Sequence, residues 1–147
     1  MKHAWFLAAC AVGLSGCGSS SYVRLRSVSP LNVNDANESA PVDVRVYQLK
    51  DDGRFTRARV EDLWTKDSAV LGDDLLAQTK VTVFPGPART GSLDVEMGPL
   101  PPECRFIGVL ALFSKPDDKG PRHLAIPAQG ARGRVILLSG SHLELQD

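Results

Sequence analysis

Between residues 42 and 46 the chain reads VDVRV, so Val42, Val44 and Val46 fall on one side of an extended backbone and Asp43 and Arg45 on the other. A period of two describes a strand with one face on a core and one in water. The alternation recurs in Val23 and Leu25, in Val81 and Val83, in Leu93, Val95 and Met97, and in Leu143 and Leu145. Cys104 to Phe113 (CRFIGVLALF) is apolar on both faces after Arg105, as is Val135 to Leu138, and both are expected to be central strands covered on each side.

Turn signals separate these runs: Asp52-Gly53, Pro85-Gly86-Pro87, Gly98-Pro99 with Pro101-Pro102, Lys115 to Gly120, and Ser139-Gly140. Strands are expected at 22–29, 42–49, 79–84, 90–97, 104–113, 122–126, 133–138 and 142–146, about eight in all. This is the spacing of an all-β, two-sheet sandwich. The exception lies at about 55–76, where Val60, Leu63 and Trp64 sit at helical spacing and Asp67 or Ser68 stands ready to cap a second short helix toward Leu71. It reads as a short helical insertion closing one end of the sandwich.

The start of the chain obeys a different logic. Lys2 and His3 precede an uncharged apolar stretch from Trp5 to Leu14, shorter than the roughly 20 residues a spanning helix needs. Leu14-Ser15-Gly16-Cys17 then fits the bacterial lipobox, in which the signal is removed before a cysteine that becomes acylated. An ordinary signal peptide cut elsewhere and a frayed N-terminal helix are the plainer alternatives. The domain reading is therefore 1–16 as signal, 17–21 as lipidated Cys17 plus tether, and 22–147 as one sandwich domain. Gly18, rather than Asp, after the cysteine favours the outer membrane, with the protein lipid-anchored and facing the periplasm.

With 17 basic and 17 acidic residues there is no basic excess to bind nucleic acid, and losing Lys2 tips the balance slightly acidic. Cys10 would leave with the signal and Cys17 would be acylated, so Cys104 has no thiol partner in the chain.

Site chemistry is sparse. His123 and His142 lie nineteen positions apart, without the convergent spacing a metal site requires, and read as ordinary half-exposed histidines. There is no GxSxG elbow and no glycine-rich phosphate loop. Cys104 reads as a small buried hydrophobe, and Asp51-Asp52, Asp73-Asp74 and Asp117-Asp118 as turn and cap residues. The expectation is no catalytic residue, no metal, no cofactor and no small-molecule substrate. One segment stands out. LNVNDANESAP, Leu31 to Pro41, joins two antiparallel-looking strands but exceeds the two to five residues of a hairpin turn. Long polar loops on a rigid sandwich are where recognition is usually placed, although a solvated connector has the same composition.

From this loop through YQLKDDGRFTRARVEDLW, then AVLGDDLLAQTKVTVFPG, the chain resembles the type VI secretion outer-membrane lipoprotein family, TssJ/SciN/VasD. The matching features, in family order, are the lipobox, the strand pair, a Phe-containing helix ending in Leu-Trp, the LG.DLL turn, the V.PG strand end and, from Phe106, an F.GV.A.F strand. One departure is Glu38-Ser39, where many members carry glycine and a small or polar residue. The resemblance implies a transthyretin-like sandwich without catalysis, bound to the periplasmic part of the inner-membrane protein TssM and through it to TssL. It also implies a partner-binding loop made of Asn32, Val33, Asn34, Asp35, Ala36, Asn37, Glu38, Ser39 and Ala40, with Asn34, Asp35, Asn37 and Glu38 reaching outward. The rival readings are a transthyretin-like periplasmic module for a carbohydrate or another protein, and a transthyretin-like hydrolase, for which the chain end HLELQD lacks the Tyr-Arg-Gly-Ser motif.

Overall fold

The computed structural model describes residues 20–86 and 92–146. The signal segment, Cys17 and most of the tether lie outside the described residues. Eight strands form two four-stranded sheets. In chain order they are β1 (Ser21–Leu31), β2 (Val42–Leu49), β3 (Leu75–Val83), β4 (Ser92–Gly98), β5 (Phe106–Leu112), β6 (His123–Pro127), β7 (Val135–Gly140) and β8 (His142–Gln146). One sheet runs β4-β1-β7-β8 and the other β3-β2-β5-β6. All neighbours are antiparallel except β1 and β7. The expected sandwich is the observed one, with β3 beginning at Leu75 and so taking Leu75 and Leu76 from the stretch assigned to the insertion.

The alternating residues meet between the sheets. Val23 and Leu25 of β1, Val95 of β4, and Ile136 and Leu138 of β7 face Val42, Val44 and Val46 of β2, with Ile107 and Val109 of β5. Each such side chain contributes about 1.5–3 kcal/mol by leaving water. Leu145, expected to share this core, remains 43% exposed near the C-terminal end of its strand.

The helical insertion does not close an end of the sandwich: it lies on the outer face of the β3-β2-β5-β6 sheet and builds a second core there. Helices α1 (Gly53–Arg57) and α2 (Val60–Leu71) bring Phe55, Val60, Leu63 and Leu71 onto Tyr47, Leu49 and Leu110. The physical reason lies in β2 and β5. Tyr47 and Leu49 point outward while Val44 and Val46 point inward, so this half of the strand has two apolar faces and needs two covers. Gly108, paired with Tyr47, leaves the space that Phe55 fills: a Cβ there would lie 2.9 Å from the Phe55 ring. The anticipated second short helix exists as the far half of α2, where Lys66 breaks helical geometry and Asp67 Oδ1 accepts the Ser68 N–H at 2.8 Å. Asp67 also accepts from Arg45 at 2.9 Å and from the Tyr47 hydroxyl at 3.3 Å, while Trp64 stacks on the Arg45 guanidinium.

Register gives the sandwich two distinct ends. Ser21 pairs with Gly98, and Val135 starts β7 opposite Arg24 and Gln146, so the N-terminus shares one end with segments 99–105 and 128–134. Eleven-residue β1 then runs the length of its sheet, about 33 Å at about 3.3 Å per residue. It delivers the chain to the opposite end, where loops 32–41 and 113–122 and the β7–β8 turn gather.

Candidate functional site

Segment 32–40 is not a long hairpin. β1 and β2 lie in different sheets, so the segment crosses between the layers, which sit about 10 Å apart, and this explains its length. Its first residue is a latch. Asn32 adopts φ 48°, in the left-handed region that asparagine tolerates, and is 4% exposed. Its Nδ2 donates to the Pro41 carbonyl at 2.8 Å, its Oδ1 accepts the Ser114 N–H at 2.7 Å, and its own N–H donates to Gly140 at 2.7 Å. One side chain thus ties together the loop's two ends and the β5–β6 loop.

Asn34 is the internal brace. Its Oδ1 accepts the N–H groups of both Ala36 and Glu38 at 2.9 Å, and its backbone N–H and carbonyl bond Glu38 and Asn37. This turn chemistry is typical of asparagine, and Asn37, at φ 61°, completes it. Ser39 Oγ accepts the Leu31 N–H at 3.1 Å, and the Ala40 N–H donates to the Leu31 carbonyl. Asn34, expected to reach out, is half-buried and spends its Oδ1 on the loop's own backbone, with Nδ2 3.4 Å from Glu38 Oε2. Of the nine loop residues, Asn32 is buried, Val33, Asn34 and Ala40 are half-buried, and Asp35, Ala36, Asn37, Glu38 and Ser39 are exposed.

The Asp35 side chain is 93% exposed and in contact with Lys115 from the neighbouring loop. The Lys115 ammonium, by hydrogen bond and by charge, holds the Asp35 carboxyl below its ordinary range. Lys115 and Ser114 therefore belong to the same surface. Neither was legible from the loop's own sequence, because the contacts join positions some 80 residues apart.

Behind this surface lies an unanticipated cluster. His142 is buried rather than half-exposed, with Nε2 2.7 Å from Glu144 and Nδ1 3.4 Å from Asp117. The His-x-Glu spacing on β8 was visible; the Asp117 contact, across 25 residues, was not. The two ring nitrogens point at different carboxylates, so the groups do not converge on one point as metal ligands must. Among the described residues no cluster of His, Cys, Asp and Glu is arranged to hold a metal. His123 stacks edge-on against Phe55, and burial pushes its pKa down. Cys104 is unpaired and half-buried, and burial pushes its thiol up, away from reactivity. The arrangement presents an exposed polar loop braced from within.

The sequence model of the type VI secretion lipoprotein family (VasD, EvfM, TssJ) matches residues 20–145. No curated protein matches the sequence. Among solved structures, a chain of a type VI membrane complex is 32% identical, covering 87% of this chain and 98% of that one, with a TM-score of 0.75. A chain from the structure of the TssM C-terminal domain (869–1107) from EAEC is 30% identical over 87% of this chain and 98% of that one, with a TM-score of 0.73. The lipoprotein TssJ1 from Pseudomonas aeruginosa is 25% identical over 88% and 95%, with a TM-score of 0.72.

Proposed function

Because the chain belongs to the type VI secretion lipoprotein family, we propose that it is the outer-membrane foothold of the secretion machine's membrane complex. In this reading Cys17 carries the lipid, the sandwich stands on the periplasmic leaflet, and loop 32–40 captures the periplasmic part of TssM, and through it TssL. The family is one of structural secretion lipoproteins, not of enzymes.

One observation carries the reading: the loop lies at the end of β1 opposite the N-terminus. A lipid on Cys17 therefore leaves Asp35, Asn37 and Glu38 facing away from the bilayer, toward anything that arrives from the inner membrane. Neighbours of this fold come from structures of a type VI membrane complex and of the TssM domain, which supports the same partner. The anchor also helps energetically, since confining several copies to one plane raises effective concentration and lets a modest interface hold.

The test is capture of the periplasmic domain of TssM by purified protein. Asp35→Ala with Asn37→Gly, glycine tolerating the positive φ at position 37, should lose capture while the thermal melt is retained. Capture at wild-type strength by the folded double variant would remove the loop from the interface.

A further inference from the structure

At the N-terminal end of the sandwich, Arg132 Nη2 donates to the Ser20 carbonyl at 3.0 Å. Its guanidinium lies 5.8 Å from the centre of the Tyr22 ring, as does that of Arg24. Arg132 sits in the turn between β6 and β7, where Gly130 and Gly133 adopt φ near +97° and +95° and Arg134 follows, exposed. The adjoining β4–β5 segment adds exposed Arg105, tied to this turn by the Ala128 N–H on the Arg105 carbonyl at 2.8 Å. Segments 99–105 and 128–134 together hold three arginines and one acid, Glu103. Among the described residues neither Arg105 nor Arg132 joins an ion pair.

Position decides what such a corner meets. Ser20 is three positions from Cys17, and an extended chain spans at most about 10 Å over that length. Arg132, bonded to Ser20, is thereby held within reach of the headgroup layer that acylated Cys17 enters. That separation is close to the Debye length of about 8 Å at physiological salt, so the charges are not fully screened from the surface. We infer that the Arg105–Arg132–Arg134 corner is a headgroup-contact surface that binds the anionic phospholipid headgroups of the anchor's own bilayer. The acyl chains supply affinity, and the arginines fix the tilt of the sandwich, with Tyr22 between water and lipid as interfacial aromatics sit. The inference rests on acylation of Cys17, and not on the identity of the partner at the far end.

The acylated protein is reconstituted into vesicles of phosphatidylcholine alone, or of phosphatidylglycerol and phosphatidylcholine in equal parts. Phenylglyoxal modification is then followed at each arginine by mass spectrometry. Arg59, 75% exposed and on the helical face, is the internal reference. The Arg132-to-Arg59 modification ratio should fall about fivefold with phosphatidylglycerol, the factor matching about 1 kcal/mol per cation near an anionic surface, and recover in high salt. Equal ratios in the two vesicles, from protein whose N-terminal peptide carries its acyl chains, overturn the headgroup contact alone. An N-terminal peptide without acyl chains overturns the anchor and the headgroup contact together.

Discussion

Asn32 Oδ1 accepts the backbone N–H of Ser114 at 2.7 Å, joining the first crossover loop to a segment 82 positions further along the chain. The same side chain donates to Pro41, so both of its polar ends are used inside the protein. The loop's base is thus fixed from below, and the exposed Asp35 side chain contacts Lys115 rather than the loop's own backbone.

That division predicts opposite outcomes for two neighbours. Asn32→Ala leaves the Ser114 N–H and the Pro41 carbonyl unpaired and places alanine at positive φ, for a loss of about 2–4 kcal/mol. Asp35→Ala removes one solvent-exposed contact and should leave the unfolding midpoint at that of wild type. Urea denaturation of both variants measures the difference. A larger loss for Asp35→Ala than for Asn32→Ala would mean that the loop is held from its tip.

Gly108 and Phe55 predict a compensating pair. A methyl at position 108 would lie 2.9 Å from the Phe55 ring and 3.1 Å from Leu49, and neither neighbour is at the surface. Gly108→Ala should therefore cost about 1–3 kcal/mol through overpacking. Phe55→Leu costs stability alone by leaving a void, yet combined with Gly108→Ala it should recover part of both losses. A double-mutant cycle in denaturant reads this coupling, and strict additivity would mean that the helix does not rest on β5 in solution.

Alkaline unfolding should begin at Tyr47. Burial, the largest cause, pushes its hydroxyl up to about 12 from 10. The folded state therefore keeps the proton after the unfolded chain begins to lose it. With the folded pKa raised, the stabilisation is fully present below about pH 10 and is lost as pH rises toward about 12. The loss is about 2 kcal/mol over that window. Tyr47→Phe should start somewhat less stable, lacking the hydrogen bond to Asp67, and decline less steeply between pH 10 and 12. Chemical denaturation across that range gives both slopes, and equal slopes would remove Tyr47 as the titrating group.

The strands were legible because alternation is a local signal: VDVRV needs no distant partner to declare two faces. The position of the helices was misread although a clue was present. Val46, Tyr47, Gln48 and Leu49 are all buried, and such a run calls for a cover on the outer face as well as the inner one. Asn32 is a different case. An Asn-rich segment looks outward by composition, and its inward turn depends on Ser114 and Gly140, which sequence spacing does not bring near. The Arg132 corner was invisible for the same reason, since it exists through the contact with Ser20, 112 positions away.

Cys17→Ser should separate anchoring from folding. Among the described residues both hydrophobic cores are assembled from positions between Val23 and Leu143, and the family match begins at residue 20, so the sandwich is expected to fold without the lipid. Acyl chains, by contrast, contribute about 0.8 kcal/mol for each buried methylene. A few arginines at about 1 kcal/mol each do not replace several such chains. The variant should therefore leave the membrane fraction while its denaturation midpoint stays at that of the acylated protein freed in detergent. Fractionation of envelopes followed by urea titration checks both halves. Retention in the membrane fraction would show that protein contacts, not lipid, hold the chain there, and a lowered midpoint would show that the tether packs on the sandwich.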